Sequence, residues 1–174
     1  MNDVAEMTLN TTDSNSRVQQ LAVDCIRIDP DRFQSRGALL QDAFDSHLSD
    51  VKVFNADFAG LISVWQDPSD GSIYLVDGHR RLDLARRTGT SRVLVQYLSC
   101  NTAGEAFGKG ILINIARWLF DSGAKVELAC ACRRQALEKA FEERRLDPAS
   151  EVAEQLFEYF PDLKAKYCSP ERGA

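Results

Sequence analysis

The feature that most constrains the fold of this chain is a run in which a strand pattern changes directly into a helix pattern. This run, Ser72–Gly89, reads SIYLVDGHRRLDLARRTG. Its apolar stretch Ile73–Val76 predicts a buried strand, and Asp77–Gly78 is typical of a turn. A helix pattern runs from His79 to Thr88. Gly89 stands directly after it, at the position where helices commonly end in glycine. The run therefore predicts a strand–turn–helix unit.

The turn of this unit predicts anion binding. A strand-to-helix turn presents backbone N–H groups at the positive end of the helix dipole. Gly78 permits a positive φ and the close approach of a ligand. His79, Arg80 and Arg81 place cations in the first helical turn, where they oppose the dipole unless an anion or a carboxylate is near. We therefore predict that these four residues bind phosphate.

The one concentrated basic segment of an acidic chain runs from Arg80 in this helix to Arg92 beyond it, with five arginines in thirteen residues. The sequence has 21 Lys and Arg residues against 26 Asp and Glu residues, a net charge of −5. We predict that Arg86, Arg87 and Arg92 contact a DNA phosphate backbone. The alternative for these three arginines is a solvated helix face. The alternative for the turn itself is a solvent-facing basic turn in which Asp77 is the N-cap and Asp83 and Arg87 form an ordinary i,i+4 ion pair.

Two shorter segments carry further candidate ligands. Gln34 and Arg36 stand on a loop after the first predicted strand, and such a loop can clamp a nucleotide base or phosphate. Asn114 and Arg117 are spaced i,i+3 and so share one helix face. Asn114 lies in an apolar stretch and needs hydrogen bonds if it is buried. It can therefore ligate a metal, hold a phosphate or satisfy a neighbouring backbone group.

The remaining patterns predict an α+β fold, a small mixed sheet with helices followed by a helical C-terminal region. The order is one strand, a short helix, a hairpin, the helix of the turn and a last strand. The turn of the hairpin contains Pro, Asp and Gly. The first strand is Leu21–Ile28 and the short helix is Ala38–Leu48. The hairpin pairs Leu61–Trp65 with Ser72–Val76 through the turn Asp67–Gly71. The helix of the turn is His79–Thr88 and the last strand is Val93–Leu98.

The C-terminal half is predicted to be helical, with breaks near Gly108–Gly110 and Ser122–Gly123. Asp147 and Pro148 are typical of an N-cap followed by proline at the first helical position. The predicted helices are Ile111–Phe120, Val126–Glu143 and Ala149–Phe160, with one more turn at Leu163–Tyr167. An aromatic cluster is expected to be core of this half, and partner binding is the alternative. Its members are Phe141, Phe157, Tyr159, Phe160 and Tyr167.

The division into domains follows from these patterns. Residues 1–18 are expected to be a disordered arm, residues 19–105 the mixed sheet domain and residues 106–174 a helical extension.

Composition excludes several classes of protein. No run of about 18 apolar residues is present, so no membrane span is expected. The first sixteen residues lack the apolar region of a secretory signal. The five cysteines match no disulfide or zinc spacing, and Cys130 and Cys132 point apart on a helix. Free thiols in a reducing cytoplasm are therefore expected.

Together these motifs resemble the ParB/sulfiredoxin superfamily, in the form found as stand-alone domains of mobile elements, over about residues 23 to 114. Gly78–Arg81 is similar to the Gly-Glu-Arg-Arg turn of partition proteins, with His79 in place of Glu. Gln34–Arg36 is similar to their Gln-x-Arg element. Asn114–Arg117 is similar to the second half of their Glu-Asn-x-x-Arg helix, and Ile113 stands in place of its Glu. The resemblance implies a nucleoside triphosphate on the arginine turn, with Mg²⁺ near the Glu-Asn pair.

The resemblance also implies two alternative functions. Some members are CTP-dependent DNA clamps, and others, including plasmid-borne inhibitors of conjugation, are nucleotidases or nucleases. One hypothesis is thus a nucleotide-binding domain that acts on or near DNA, as an NTPase or DNase of a plasmid or other mobile element. Its catalytic residues would be His79, Arg80 and Asp77. The other is a non-enzymatic interaction or inhibitor protein that binds a protein partner through its helical C-terminal region. A sulfiredoxin-type reductase is not expected, because Gly78 occupies the cysteine position.

Overall fold

The computed structural model describes residues 17–34, 51–55, 59–118 and 124–168. Within these residues the chain forms a five-stranded mixed sheet in the order β1-β5-β3-β4-β2. The pairs β1–β5 and β3–β4 are antiparallel, and the pairs β2–β4 and β3–β5 are parallel. The strands are β1 (Val18–Ala22), β2 (Ile26–Arg27), β3 (Ile62–Gln66), β4 (Ile73–Asp77) and β5 (Arg92–Tyr97).

The first strand is not continuous, so the prediction of one strand over Leu21–Ile28 is wrong. A short 3-10 turn, Val23–Cys25, separates β1 from β2. The buried Val23 donates its N–H to Ser91 O at 3.0 Å, which extends the β1–β5 pairing by one residue before the chain turns. Because β1 and β2 follow one another and yet form opposite edges of the sheet, the sheet curls.

The hairpin and the helix that follows it are confirmed. In the turn, Gly71 has a positive φ of 73° and donates its N–H to Asp67 O at 2.8 Å. Helix α2 spans His79–Arg87. Its end is a Schellman motif, in which Gly89 at φ 70° donates to Arg86 O and the next N–H donates to Ala85 O.

The other helices are α1 (Pro30–Phe33), α3 (Ala103–Trp118), α4 (Ala124–Glu142), α5 (Glu151–Tyr159) and α6 (Pro161–Cys168). The predicted break near Gly108–Gly110 is wrong, because α3 runs through it. These glycines serve packing instead. A Cβ on Gly108 would lie 2.6 Å from Val152 Cγ1, and one on Gly110 would lie 2.7 Å from Val76 Cγ1. The missing side chains let α3 approach α5 and β4 closely.

The N-cap of α5 also differs from the prediction. Ser150, not Asp147, is the cap, and its side chain accepts a hydrogen bond from Ala153 N–H at 3.2 Å. Asp147 closes a turn before the helix by accepting from Ala149 N–H at 2.9 Å. After α5, Pro161 opens α6, since the first turn of a helix needs no N–H from that residue.

Three predicted segments lie outside the described residues. They are most of the disordered arm, the helix Ala38–Leu48 and the break at Ser122–Gly123.

Two buried clusters cover the two faces of the sheet, which confirms the α+β class. On one face α2 packs through Leu82 and Ala85 against residues of the strands, among them Ile62 and Leu75. On the other face Trp65 and Val76 pack with residues of α3 to α6 in one continuous cluster. The helical half therefore shares its core with the sheet, and the boundary near residue 105 stays a prediction.

The aromatic cluster lies mainly in that shared core. Phe141 and Phe157 are buried and stacked with ring centroids 5.5 Å apart, and Tyr167 lies 5.0 Å from Phe141. Phe160 is partly buried against the same cluster. Tyr159 is 44% exposed, so its assignment to the core is wrong. None of the helices described here combines the length and the apolar character that crossing a bilayer requires.

Candidate anion-binding site

The turn between β4 and α2 depends on glycine. Gly78 is buried and left-handed, with φ 105° and ψ 25°, as predicted. A Cβ at this position would lie 3.3 Å from Ile62 Cγ1 and 3.4 Å from Arg81 Nε. Gly78, not Asp77, is the N-cap of α2, and no side chain caps the helix. The interpretation of Asp77 as N-cap is therefore wrong, because its carboxylate is directed into a buried network.

The first turn of α2 lies at the positive end of the helix dipole. The first bond within the helix joins Leu82 N–H to Gly78 O at 3.0 Å. The helix itself supplies no acceptor for the N–H groups of the three residues before Leu82. Its first turn has no acidic residue, and it carries the half-buried His79, Arg80 and Arg81. Positive charge and the positive end of the dipole therefore coincide here.

Asp77 is the centre of the network behind this turn. Its side chain is only 5% exposed. Oδ2 accepts hydrogen bonds from Arg81 Nη2 at 3.0 Å and from Arg117 Nη1. Oδ1 accepts from Asn114 Nδ2 at 3.0 Å. Asn114 and Arg117 share one face of α3, as the spacing predicts, and that face meets the end of β4.

The electrostatics of the network keep Asp77 ionised. Burial raises the pKa of this carboxyl, but the charges of Arg117 and Arg81 and the hydrogen bonds from Arg117 and Asn114 outweigh it. The net result is a pKa below the ordinary 3.8. Both oxygens are engaged by donors, so the carboxylate anchors α2 and α3 to the sheet. The catalytic role of Asp77 stays a prediction.

Arg81 braces the chain that enters β3. Its Nη1 donates to Leu61 O and lies 3.5 Å from Ala59 O, while Nη2 holds Asp77. One guanidinium thus joins α2, the end of β4 and the start of β3. A direct phosphate contact by Arg81 stays a prediction, and these contacts show that it shapes the turn.

Sequence reasoning missed Arg133 on α4. The residue is 1% exposed, and its Nη2 donates to Asn114 Oδ1 at 3.2 Å. A signal was present, because Ala129, Arg133 and Leu137 recur every four residues and so lie on one helix face. Ala129 and Leu137 are both buried. An arginine on an otherwise apolar stripe indicates a specific buried contact.

The predicted loop after the first strand is described in part. Gln34 is half-buried at the end of α1, and Arg36 lies outside the described residues. Phe33, the residue before Gln34, packs against Trp65 and Tyr74, with ring centroids 6.0 Å away in both cases. The start of the loop is therefore fixed to the sheet, and contact of Gln34 and Arg36 with a ligand stays a prediction.

The basic segment makes contacts within the fold. Arg86 Nη2 donates to Ile26 O at 2.8 Å, and Arg92 Nη2 donates to Gln20 O at 3.1 Å. Arg87 Nε pairs with Asp83 Oδ2 at 2.8 Å, which is the expected i,i+4 pair. All three arginines remain exposed. Their contact with DNA stays a prediction.

The five cysteines are all free thiols, and one of them, Cys100, has a shifted pKa. Burial raises the pKa of the Cys100 thiol, and the nearby Lys109 does not offset it, whereas a redox nucleophile needs a lowered pKa. Over the described ranges no group of three or more His, Cys, Asp or Glu residues is placed to hold a metal ion.

Comparison with known proteins finds similarity in structure alone. No family model and no curated protein matches the chain. The structure is similar to a C-terminally truncated chromosome-partitioning protein ParB from Caulobacter crescentus, complexed with CTP-gamma-S, at 19% identity and a TM-score of 0.38. That match covers 73% of this chain and 63% of the ParB chain.

A second similar structure is sulfiredoxin from Arabidopsis thaliana, at 15% identity and a TM-score of 0.30. This match covers 56% of this chain and 93% of the sulfiredoxin chain. These are the two kinds of protein that the sequence motifs resemble. Because identity and TM-score are low in both, the functional proposal rests on the residues of this chain.

Proposed function

We propose that this chain binds the phosphate groups of a nucleoside triphosphate at the turn Gly78–Arg81. The observation that carries the proposal is the left-handed Gly78 at the start of the nine-residue helix α2, whose first turn holds His79, Arg80 and Arg81 and no acidic residue. Helix N-termini bind anions through backbone N–H groups and the dipole. Arginine adds planar, charge-assisted donors that match phosphate oxygens.

The network behind the turn supports this proposal. A binding site works best when its groups are held in place before the ligand arrives. Asp77 holds Arg81 and Arg117, and Arg81 in turn holds the start of β3. In this proposal Arg80, with the backbone of Gly78 and His79, makes the direct phosphate contacts.

The remaining predicted residues have roles that follow from the same proposal. Gln34, Arg36 and Asn114 complete the nucleotide pocket, and His79 serves as acid or base if the nucleotide is hydrolysed. The ParB structure contains a CTP analogue, so CTP stands beside ATP and GTP among the ligands to test. Each ligand is tested with and without Mg²⁺. Arg86, Arg87 and Arg92 are proposed DNA contacts of the same domain.

Calorimetric titration with ATP, CTP and GTP tests the proposal. We expect at least one nucleotide to bind and Arg80→Ala to weaken that binding about tenfold or more, since hydrogen bonds to charged groups contribute about 1.5–3 kcal/mol. Arg134→Ala is the matched control, because Arg134 pairs with Glu138 and Asp162 on the surface of α4. Heat for none of the nucleotides, or unchanged binding by Arg80→Ala, contradicts the proposal.

The second candidate is a non-enzymatic interaction protein, and the exposed Tyr159 on α5 favours it. Phe157 cannot test this candidate, because it is buried in the core and its replacement would disturb folding. A partner whose capture from solution requires Tyr159 and is unaffected by Arg80→Ala would favour the interaction protein. Capture that fails only with Arg80→Ala would favour nucleotide-dependent function.

A further inference from the structure

One of the arginines in the buried network, Arg133, stands 52 residues after Arg81 in the sequence. Arginine is almost never fully buried unless specific partners satisfy its guanidinium. At 1% exposure, Arg133 donates from Nη1 to Ala129 O and from Nη2 to Asn114 Oδ1, both at 3.2 Å. The first bond fixes the guanidinium to its own helix. The second bond connects Arg133 to Asn114 on α3.

The partners of Asn114 fix the orientation of its amide. The amide nitrogen donates to Gly110 O at 2.7 Å and to Asp77 Oδ1 at 3.0 Å. A carbonyl and an ionised carboxylate only accept, whereas the guanidinium of Arg133 only donates. The amide oxygen must therefore face Arg133. If Arg133 lost its donor, this buried oxygen would lose its described partner, and only the two bonds from the amide nitrogen would hold Asn114 in place.

The orientation of Asn114 determines which carboxylate oxygen of Asp77 it occupies and which oxygen is left for the two arginines. Asn114 occupies Oδ1, so Oδ2 accepts from both Arg81 and Arg117. Arg81 then braces the start of β3 beside the Gly78 turn. A continuous chain of hydrogen bonds thus connects α4 with the turn, through Asn114, Asp77 and Arg81.

We propose that Arg133 is a positioning residue of the phosphate site, which acts by orienting Asn114 and, through it, Asp77 and the turn. The inference rests on the proposed phosphate site. It assigns a role in that site to α4, where the sequence motifs place none.

The experiment compares Arg133→Met, Arg133→Lys and the control Arg134→Met. Methionine matches much of the length of arginine without a donor, and lysine keeps the charge without the planar fork. Arg134 is the neighbour of Arg133 and has only surface ion pairs among its described contacts. The readouts are the NMR signals of the Asn114 side-chain amide in the full chain and the affinity for inorganic tripolyphosphate, which offers phosphates without a base.

We expect Arg133→Met to shift the Asn114 amide signals and to weaken tripolyphosphate binding about five- to tenfold, equivalent to about 1–1.4 kcal/mol. In an Asn114→Ala background the same change should alter affinity less than about twofold, since the effect passes through Asn114. Arg133→Lys should give an intermediate shift and loss. Arg134→Met should leave both readouts as in the wild type.

The inference is overturned if Arg133→Met leaves the Asn114 signals or the affinity unchanged, or if the loss is equally large without Asn114. Should Arg133→Met fail to fold, Arg133→Lys decides: a shifted amide with weaker binding supports the inference, and unchanged affinity overturns it. Wild-type protein that binds neither tripolyphosphate nor any nucleotide contradicts the proposed function itself and this role with it. Wild-type binding that is unaffected by Arg133→Met contradicts the inference alone.

Discussion

At the residue scale, Asp77 is the side chain on which the site depends most. It is a buried carboxylate that accepts from two arginines and an asparagine. Removing one partner of a buried ion pair leaves the other charges uncompensated, which costs about 3–5 kcal/mol in stability. Because Arg117 is 44% exposed and can be solvated, the lower end of that range applies here.

The first prediction concerns Asp77→Asn. We expect this variant to lose about 3 kcal/mol of unfolding free energy at neutral pH, measured by urea denaturation. The folded-state pKa of Asp77 lies below the ordinary 3.8, so its ionised form stabilises the fold above pH 3.8. That contribution is lost as the pH falls through the lower folded-state value. The gap between wild type and variant should therefore shrink in acid.

Asp83→Asn is the control for this prediction. Its carboxylate is 63% exposed and pairs with Arg87 at the surface, so we expect a change within about 0.5 kcal/mol. A stability gap for Asp77→Asn that stays constant down to strongly acidic pH would contradict the described role of Asp77.

The second prediction concerns Arg144, which follows α4 in the left-handed conformation at φ 56°. The N–H groups of Arg144 and the next residue donate to Phe141 O and Ala140 O, in the pattern of a helix end that favours glycine. Arg144→Gly should therefore raise the melting temperature and increase the free energy of unfolding by about 0.5–1 kcal/mol. Arg144→Val should lower it, and equal melting temperatures for both variants would contradict this reasoning.

At the element scale, the sequence predicted what is local and missed what packing decides. The β4–turn–α2 unit was predictable because its strand, glycine and helix end are contiguous. Two partners of Asp77 are not local, since Asn114 and Arg117 come from the later helix α3. The Asn114–Arg117 motif predicted that these two side chains share one face of α3, but not that this face contacts Asp77. The glycines of α3 were misread because propensity favours a break where close packing requires small residues.

The third prediction follows from those glycines. A Cβ on Gly104 would lie 1.7 Å from Arg145 O, a backbone atom that cannot move aside alone. In an open helix, replacing glycine with alanine stabilises by about 1 kcal/mol. Here we expect Gly104→Ala to destabilise by about 1–3 kcal/mol through overpacking. In Gly108→Ala the new Cβ meets only side chains, so this variant should lose less stability than Gly104→Ala. A lower melting temperature for Gly108→Ala than for Gly104→Ala would contradict the packing described.

At the scale of the whole molecule, the sheet and the helical half share one buried cluster. The fourth prediction is that residues of both halves unfold together. Trp65 is buried in that cluster and donates to Cys100 O at 2.9 Å, so its fluorescence reports on the shared core. In the Trp118→Phe variant, the Trp65 fluorescence and far-UV circular dichroism transitions should coincide in urea. Two separated transitions would contradict a shared core and favour independent domains near residue 105.

The central claim is that phosphate binds at the N-terminus of α2. The most direct measurement is the change in backbone amide NMR shifts on titration with tripolyphosphate. We predict the largest shifts at the N–H groups of Gly78, His79 and Arg80, saturating with ligand and lost in Arg80→Ala. Largest shifts elsewhere in the chain, or no saturable shift at these three amides, would contradict the claim.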